Sequence, residues 1–265
     1  MTTLAETRSP NGGTQPQPSR AAPFLRQVGA QITAELLLTS RRGENILVTL
    51  ILPVILLVFF ASLKIIPVST GSVINFLLPG ILALAIMASG MVHLGISTAY
   101  ERYYGVLKRL GATPLPRSGL IVAKIVAVLL LEVLQVILLV GIALLFYGWR
   151  PVGSPGLALL VLALGTVTFA ALGLAMAGSL RAETTLAAAN GLYLLFLLIG
   201  GGILPLDHLP APLAALAQYL PAAAFTQSLQ AAMTAGAPFP GTALLTLLIW
   251  MVLILALAIK TFRWE

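Results

Sequence analysis

The most polar run of this chain is one short stretch between apolar segments. The run AYERYYGVLKRLGATPLPR, residues 99–117, stands between two long apolar segments of a chain in which 9% of the residues are charged. It contains five charged side chains: Glu101, Arg102, Lys108, Arg109 and Arg117. Charges grouped in this way are typical of a surface on which a partner protein docks. The alternative interpretation is a solvated loop whose charges only orient the chain in a membrane.

A second set of polar residues lies inside apolar segments and consists of Asn75, His93, Glu132 and Gln135. An ionised carboxylate such as that of Glu132 costs about 3 kcal/mol at the centre of a bilayer, so it must face protein or water. Gln135 follows it by about one helical turn, on a neighbouring face. These four residues are candidates for the lining of a polar route through a membrane. Hydrogen bonds between helices are the alternative role.

Enzymatic chemistry is less well supported by the residue types present. Ser89 and His93 share a helix face, but in membrane-embedded serine proteases the nucleophile and the base belong on different helices, and no G-x-S-x-G turn occurs. We therefore interpret His93 as a hydrogen-bond partner between helices. The chain has no cysteine, two histidines and no H-E-x-x-H motif, so we predict no metal site. It also lacks a G-x-x-x-x-G-K-[ST] phosphate loop, so it cannot bind and hydrolyse ATP by that route.

The composition sets the medium in which these residues must be positioned. The chain is 59% hydrophobic with a mean hydropathy of +1.02, whereas a soluble domain has about 25% charged residues. We therefore predict an all-α integral membrane protein. In such a protein the net charge of +7 is interpreted by its position relative to the membrane, so it does not indicate a nucleic-acid partner.

Six apolar runs are each long enough to cross a hydrocarbon core of about 30 Å. They predict six transmembrane helices at about residues 45–65, 73–98, 119–147, 157–180, 185–204 and 241–260. Residues 1–23 are rich in Pro, Gly, Thr, Gln and Ser and predict a disordered cytoplasmic tail, which leaves residues 24–265 as one six-span domain. From Phe24 to Ser40 an amphipathic pattern predicts a helix along the membrane surface, although Glu35 falls inside its apolar arc.

The basic residues predict the orientation of these spans. With six spans, 13 of the 15 Lys and Arg residues fall on the side of the two termini, and Lys64 and Arg150 fall on the other. By the positive-inside rule both termini are cytoplasmic.

Three short helices are predicted outside the spans. Residues 100–110 place the tyrosines and aliphatic residues on one arc and the charges on the other, and Gly111 and the prolines after it end the helix. The predicted charged face therefore points to the cytosol. Residues 205–240, punctuated by six prolines, predict two helices at about 212–220 and 222–235 that dip into the outer leaflet, either as a cap over the route or as a surface loop.

The order of these elements resembles the ABC type 2 exporter permeases. The resemblance covers nearly everything after residue 23, and its most specific part is E-R-x-x-G-x-L-K-R-L-x-A-T-P-L, from Glu101 to Leu115. The loop RAET between the fourth and fifth spans and the stretch from Leu204 to Met233 are also similar to that family. The family often has a charged pair where this chain has Tyr103 and Tyr104.

The resemblance implies a permease subunit that exports an amphipathic molecule such as a drug, a lipid or a glycan precursor. It implies a separate ABC ATPase chain that binds ATP and Mg²⁺, so no cofactor is expected on this chain. The residues that would couple to that ATPase are Glu101, Arg102, Gly105, Lys108 and Arg109. It also implies a second copy or a homologous permease as partner, and a location in the cytoplasmic membrane of a prokaryote. The alternatives are a membrane-embedded enzyme that uses Glu132 or His93 and a non-catalytic assembly factor.

Overall fold

The structure is a computed structural model that describes residues 22–41, 43–63 and 73–261, with the side chains of residues 43–48 excepted. The predicted tail up to residue 21, and Arg42, Lys64 and Arg263, lie outside the described residues. Within the described part all longer elements are helices, and they are α1 (Phe24–Arg41), α2 (Gly43–Leu63), α3 (Val73–Tyr103), α4 (Val106–Gly111), α5 (Arg117–Tyr147), α6 (Pro155–Ser179), α7 (Ala182–Ile199), α8 (Ala211–Ala217), α9 (Pro221–Met233) and α10 (Gly241–Thr261).

The helices coincide with the predicted spans to within a few residues. Among the described residues, five are long and apolar enough to cross a membrane by length and composition: α3, α5, α6, α7 and α10. The apolar part of α2, Thr49–Leu63, is shorter. The prediction of an all-α membrane protein is therefore confirmed, because hydropathy over about 20 residues is the signal that lipid selects.

The prediction of one continuous helix over residues 100–110 is wrong. Helix α3 runs on to Tyr103, and Gly105 then adopts a left-handed backbone with φ of 72° before α4 begins at Val106. A glycine tolerates this conformation because it has no Cβ. The predicted single arc is thereby divided, so Glu101 and Arg102 belong to the end of a membrane-crossing helix and Lys108 and Arg109 belong to α4.

Helix α6 lies at the centre of the bundle and packs against α3, α9 and α10. Three aromatic rings from different helices meet on one side of it: the ring of Phe169 lies 6.0 Å from that of Phe196 on α7 and 5.7 Å from that of Phe225 on α9, measured between centroids. All three side chains are buried. Helix α9 is thus part of the core, and the interpretation of residues 222–235 as a surface loop is wrong.

Helix α3 approaches α6 closely because glycines face each other. A Cβ on Gly95 would lie 2.9 Å from the Cα of Gly173, and a Cβ on Gly173 would lie 2.6 Å from the carbonyl oxygen of Gly90. Small residues at facing positions allow such contact between membrane helices. In this part of α3, residues Ala88–His93 form a π-helical turn. The π-helical turn changes the register of the side chains along α3. The helix face that Ser89 and His93 are predicted to share, at positions i and i+4, therefore does not continue along the helix.

Helix α1 packs along the first half of α5. Phe24 lies beside Gly119, and Glu35 forms an ion pair of 2.9 Å with Lys124. The helix predicted from Phe24 to Ser40 is therefore confirmed in extent, and Glu35 is explained. It lies in the apolar arc because that arc faces a buried ammonium group.

The two ends of the bundle differ in charge. Lys108, Arg109, Arg117, Arg181 and Lys260 lie at the end that carries α4, which we call the α4 end. Arg150 lies at the opposite end, which we call the α9 end. There the backbone N–H of Ser154 donates to the carbonyl of Ala232 on α9 over 2.8 Å. The described part of the chain thus keeps the asymmetry that the sequence predicts.

Candidate functional site

A groove of 660 Å³ runs between α2, α3 and α7. Its volume lies within the range of about 300–1,000 Å³ that is usual for small-molecule sites. At the α4 end it begins beside Glu101, Tyr104 and Val106, and it extends along α3 to Ile81. The groove therefore connects the segment between α3 and α4 with the interior of the bundle.

The groove has an apolar part and a polar part. The apolar part is lined mainly by Leu52, Leu56, Ile81 and Leu84. Toward the α4 end the lining becomes polar and includes His93, Ser97, Tyr100, Glu101, Asn190 and Tyr193. A molecule that fills the groove along its length would meet both kinds of surface, which suits an amphipathic shape.

The polar end of the groove is held by a buried ion cluster. The ammonium of Lys124 on α5 is fully buried and lies 2.8 Å from the carboxylate of Glu101 and 2.9 Å from that of Glu35. Removing an ammonium from water costs several kcal/mol, and two carboxylates in contact offset that cost. The cluster therefore ties α1 and the end of α3 to α5.

Arg102 forms a second connection at the end of α3. Its guanidinium donates to the carbonyl of Gly178 over 2.6 Å and also to the carbonyl of Leu180, where α6 ends. The last carbonyls of a helix carry partial negative charge and have no partner within the helix, so a cation is stabilised there. Glu101 and Arg102 thus contact the protein interior, and the prediction that both face the cytosol is wrong.

The remaining predicted coupling residues occupy a different position. Lys108 and Arg109 are exposed on α4. Leu107, which lies between the turn and these two residues in the sequence, is buried among the apolar side chains of α5 and α6. Gly105 is the left-handed turn that separates the two groups. Helix α4 is therefore anchored by Leu107 and by the partly buried Leu110, and presents two cations to its surroundings.

The structure separates the four residues predicted to line a polar route. His93 lines the groove, and Asn75 is exposed near the start of α3. Glu132 and Gln135 are buried outside the groove. Glu132 accepts a hydrogen bond from the hydroxyl of Thr166 on α6, and its Oε1 atom has no hydrogen-bond partner in the part of the chain that the structure describes.

Gln135 joins two other helices to α5. Its Oε1 atom accepts from the Ser89 hydroxyl over 3.1 Å, and its Nε2 atom donates to the carbonyl of Thr49 over 2.9 Å. Both Glu132 and Gln135 thus make the contacts between helices that the alternative interpretation of these residues predicts.

Several site residues were not found by sequence reasoning. Lys124 is one of the 13 basic residues that the sequence predicts on the side of the termini, and an ammonium inside an apolar span is also a sign of a buried partner. The predicted arc of tyrosines and aliphatic residues includes Tyr100 and Tyr104 without indicating a groove, and no pattern in the sequence singles out Asn190 and Tyr193. Tyr100 and Tyr104 cannot be placed in a groove from the sequence, because the groove depends on where α7 lies.

Comparison with known proteins identifies the family of this chain. The family described as "ABC-2 type transporter" matches residues 26–234, which include the groove, the ion cluster and α4. The chain is also similar to a protein of Bacillus subtilis (strain 168) named "Putative transport permease YvfS", with 27% identity over 217 residues, which are 78% of this chain and 86% of that protein. The match to the family extends over most of the chain and over every helix that lines the groove. This chain therefore belongs to the ABC-2 type transporter family and is a membrane subunit of a transporter.

Proposed function

We propose that this chain is the permease of an exporter that is driven by ATP hydrolysis in a separate subunit. The observation that carries the proposal is that the groove and the predicted coupling segment share residues: Glu101, Tyr104 and Val106 belong to both. A movement imposed on α4 would therefore reach the wall of the groove within one helical turn. An amphipathic molecule enters at the α4 end and leaves toward the α9 end.

The proposed docking surface for the ATPase is α4, through Lys108 and Arg109. Leu107 holds this helix on the bundle, and Arg102 and the Lys124 cluster hold the end of α3. These contacts fasten the end of α3 to α5 and α6. A displacement of α4 is therefore transmitted to α3 as a whole. Charges on a rigid base also favour the encounter with an oppositely charged partner.

ATP and Mg²⁺ belong to the partner chain in this proposal, and this chain binds no cofactor. The sequence supports this division because it has no phosphate loop. ATP-driven movement would then be the contribution of the ATPase, and substrate binding and the path would be the contribution of this chain.

A second copy of this chain, or a homologous permease, completes the path in our proposal. The groove is lined by α2 and α7, whose outer sides are apolar; Ile51, Ile55, Leu194 and Leu198 are exposed there. A two-fold arrangement would cover a groove from each copy. The proposed location is the cytoplasmic membrane of a prokaryote, with the α4 end toward the cytoplasm.

Copurification with an ABC ATPase encoded beside this chain tests the proposal. We expect the double reversal Lys108→Glu and Arg109→Glu to reduce the recovered ATPase by about tenfold, since two exposed charges are worth up to about 1 kcal/mol each. The matched control is Arg150→Glu, which reverses an exposed cation at the α9 end and should leave recovery unchanged.

Glu101 and Arg102 are left intact in this experiment because their reversal would also break interior contacts. Recovery of the ATPase with the double variant at the level of the unmodified chain would contradict docking through α4. Failure of the unmodified chain to recover any ATPase would contradict the proposed function as a whole.

A further inference from the structure

A carboxyl group is buried between α5 and α6 with one of its oxygens unpaired. Glu132 lies at the middle of α5, and 3% of it is exposed. Its Oε2 atom contacts the hydroxyl of Thr166 on α6, whereas its Oε1 atom has no hydrogen-bond partner among the described residues. A buried oxygen that carries charge and has no donor is costly in a protein interior. The surroundings of Glu132 therefore support its ionised form poorly.

No ion pair in the described ranges involves Glu132. The nearest charged side chain along α5 is that of Lys124, about two turns away, and its ammonium lies between Glu35 of α1 and Glu101 of α3. Helix α6, which carries Thr166, has no acidic, basic, histidine or tyrosine residue. The helix that faces the carboxyl group therefore offers it no compensating charge.

The other helices that pack against α5 are α1, α2, α3 and α10. Helix α2 has no titratable residue from Thr49 to Leu63, where its side chains are described. His93 of α3 lines a small cavity together with Gln135, and the lining of that cavity does not include Glu132. The remaining titratable residues of α1, α3, α5 and α10 lie in the first or the last turn of their helices: Arg26, Arg41, Tyr100, Arg102, Tyr103, Arg117, Tyr147 and Lys260. Glu132, at the middle of its helix, is thus placed apart from them.

The hydroxyl of Thr166 makes two contacts with acceptors but has one proton. Its Oγ1 atom lies 3.0 Å from the carbonyl oxygen of Leu162, one turn earlier in α6, and it also contacts the Glu132 carboxyl group. A backbone carbonyl accepts hydrogen bonds and cannot donate one. If Glu132 is a carboxylate, the hydroxyl proton satisfies one contact and leaves the other without a proton. If Glu132 is protonated, its O–H donates to Thr166 and the Thr166 O–H donates to Leu162, so both contacts are hydrogen bonds.

We propose that Glu132 and Thr166 form a proton-binding site, in which the carboxyl group carries a proton while α5 and α6 are packed together. The proton reverses the donor at this contact, from the hydroxyl to the carboxyl group, and it leaves Oε1 as the neutral carbonyl oxygen of an acid. Loss of the proton leaves a charge that requires water or a cation, so the packing of α5 on α6 depends on this proton. The inference involves neither an ATPase nor the groove and is therefore independent of the proposed function.

Infrared spectroscopy of the purified full-length chain in detergent tests the site, because a carboxylic acid has a C=O stretching band that a carboxylate lacks. At about pH 7 an exposed glutamate is ionised, so the band reports a buried proton. We expect the unmodified chain to show an acid band that is absent from Glu132→Gln, whose amide keeps the size of the side chain and can donate to Thr166. Identical acid bands in the two chains, or no acid band in the unmodified chain, would overturn the inference.

Two valine substitutions on α6 test whether Thr166 is the partner. Thr166→Val removes the acceptor of the carboxyl O–H and should shift the Glu132 band. Thr168→Val is the matched control and should leave the band in place, since Thr168 is also fully buried and donates to the carbonyl of Leu164 over 2.7 Å. Equal shifts, or no shift with either variant, would overturn the pairing with Thr166. This comparison keeps the carboxyl group in place, so it also decides the question if Glu132→Gln does not fold.

Proton release on unfolding provides a second measurement. Denaturation at about pH 7 exposes Glu132 to water, where a glutamate is ionised. The unmodified chain should therefore release about one more proton per chain than Glu132→Gln, measured with a pH indicator in unbuffered solution. Release of the same number of protons by both chains would overturn the inference, because the carboxyl group would then have the same charge in the folded and the unfolded chain.

Discussion

Lys124 shows how a single buried charge organises the α4 end. Its ammonium is fully buried, while Glu35 and Glu101 keep 12% and 17% of their side chains exposed. Neither carboxylate is close to Lys124 in the chain, so the pairing connects three helices, α1, α3 and α5. A buried ion pair contributes little compared with an apolar replacement, but breaking one leaves an uncompensated charge. Its value lies in holding these helices in one arrangement.

We predict that Lys124→Met destabilises the protein by about 3 kcal/mol, because it leaves two carboxylates facing each other without a cation. The combined variant Glu35→Gln, Lys124→Met and Glu101→Gln should recover most of that loss, since the ammonium and both carboxylates of the cluster are then removed together. Thermal unfolding of the purified chain in detergent compares the two variants. Equal thermal stability of Lys124→Met and the unmodified chain would show that the ion cluster does not stabilise the packing of the three helices.

At the level of elements, the connection between α3 and α4 decides how force reaches the groove. Tyr104 and Gly105 separate the two helices, and the left-handed backbone of Gly105 sets the angle at which α4 leaves. The buried Leu107 then fixes α4 on the bundle. The element that meets the proposed ATPase is thus short and rigidly attached, which suits the transmission of a displacement.

We predict that Gly105→Ala lowers the free energy of unfolding by about 1 kcal/mol and weakens ATPase recovery, because a residue with a Cβ is strained in the left-handed region. Asn tolerates this region better, so Gly105→Asn should lose less. Apart from its two chain neighbours, no atom of the described residues lies within 4 Å of a Cβ at Gly105, so steric contact does not complicate the result.

Gly141→Ala on α5 provides the control, since outside its own helix backbone its Cβ would also meet nothing within 4 Å in the part of the chain that the structure describes, and there alanine should be neutral or slightly stabilising. The measurements are thermal unfolding and copurification with the ATPase. A Gly105→Ala variant as stable as the Gly141→Ala variant would exclude backbone strain as the reason for glycine at this turn.

At the level of the whole molecule, charge and hydropathy divide the chain into two unequal ends. The basic residues gather at the α4 end, and the α9 end has Arg150 as its described cation. Helix α9 packs into the core through Phe225, which lies against Gly165. Helix α9 is thus part of the core at the α9 end, while the α4 end carries the polar end of the groove and the proposed docking surface.

We predict that the α4 end is cytoplasmic and the α9 end is external. The chain has no cysteine of its own, so a single cysteine at Arg109 or at Thr234, both exposed, can be labelled selectively. In intact cells an impermeant thiol reagent should label Thr234→Cys and should label Arg109→Cys only after the membrane is opened. The reverse pattern would overturn the orientation that the positive-inside rule gives.

The sequence by itself determined the class of the protein and the approximate limits of its long helices. Continuous apolar runs select lipid, and Pro and Gly end the helices locally, so α3, α5, α6, α7 and α10 were each predicted to within about five residues of their observed bounds. The stretch Glu101–Leu115 also indicated the family, because that pattern of residue types is readable along the chain. These properties depend on neighbours in sequence, which periodicity and composition record.

The tertiary structure decided which side chains meet. Glu35, Glu101 and Lys124 come together although they lie on three helices, and Glu132 turned toward Thr166 instead of the groove. Tyr100 and Tyr104 became groove residues because α3 continues to Tyr103 and α7 packs beside it. Within lipid the hydrophobic pattern does not distinguish one face of an apolar helix from another. The faces that pack together are therefore set by the close approach of glycines and by the pairing of buried charges. Both depend on contacts between distant parts of the chain.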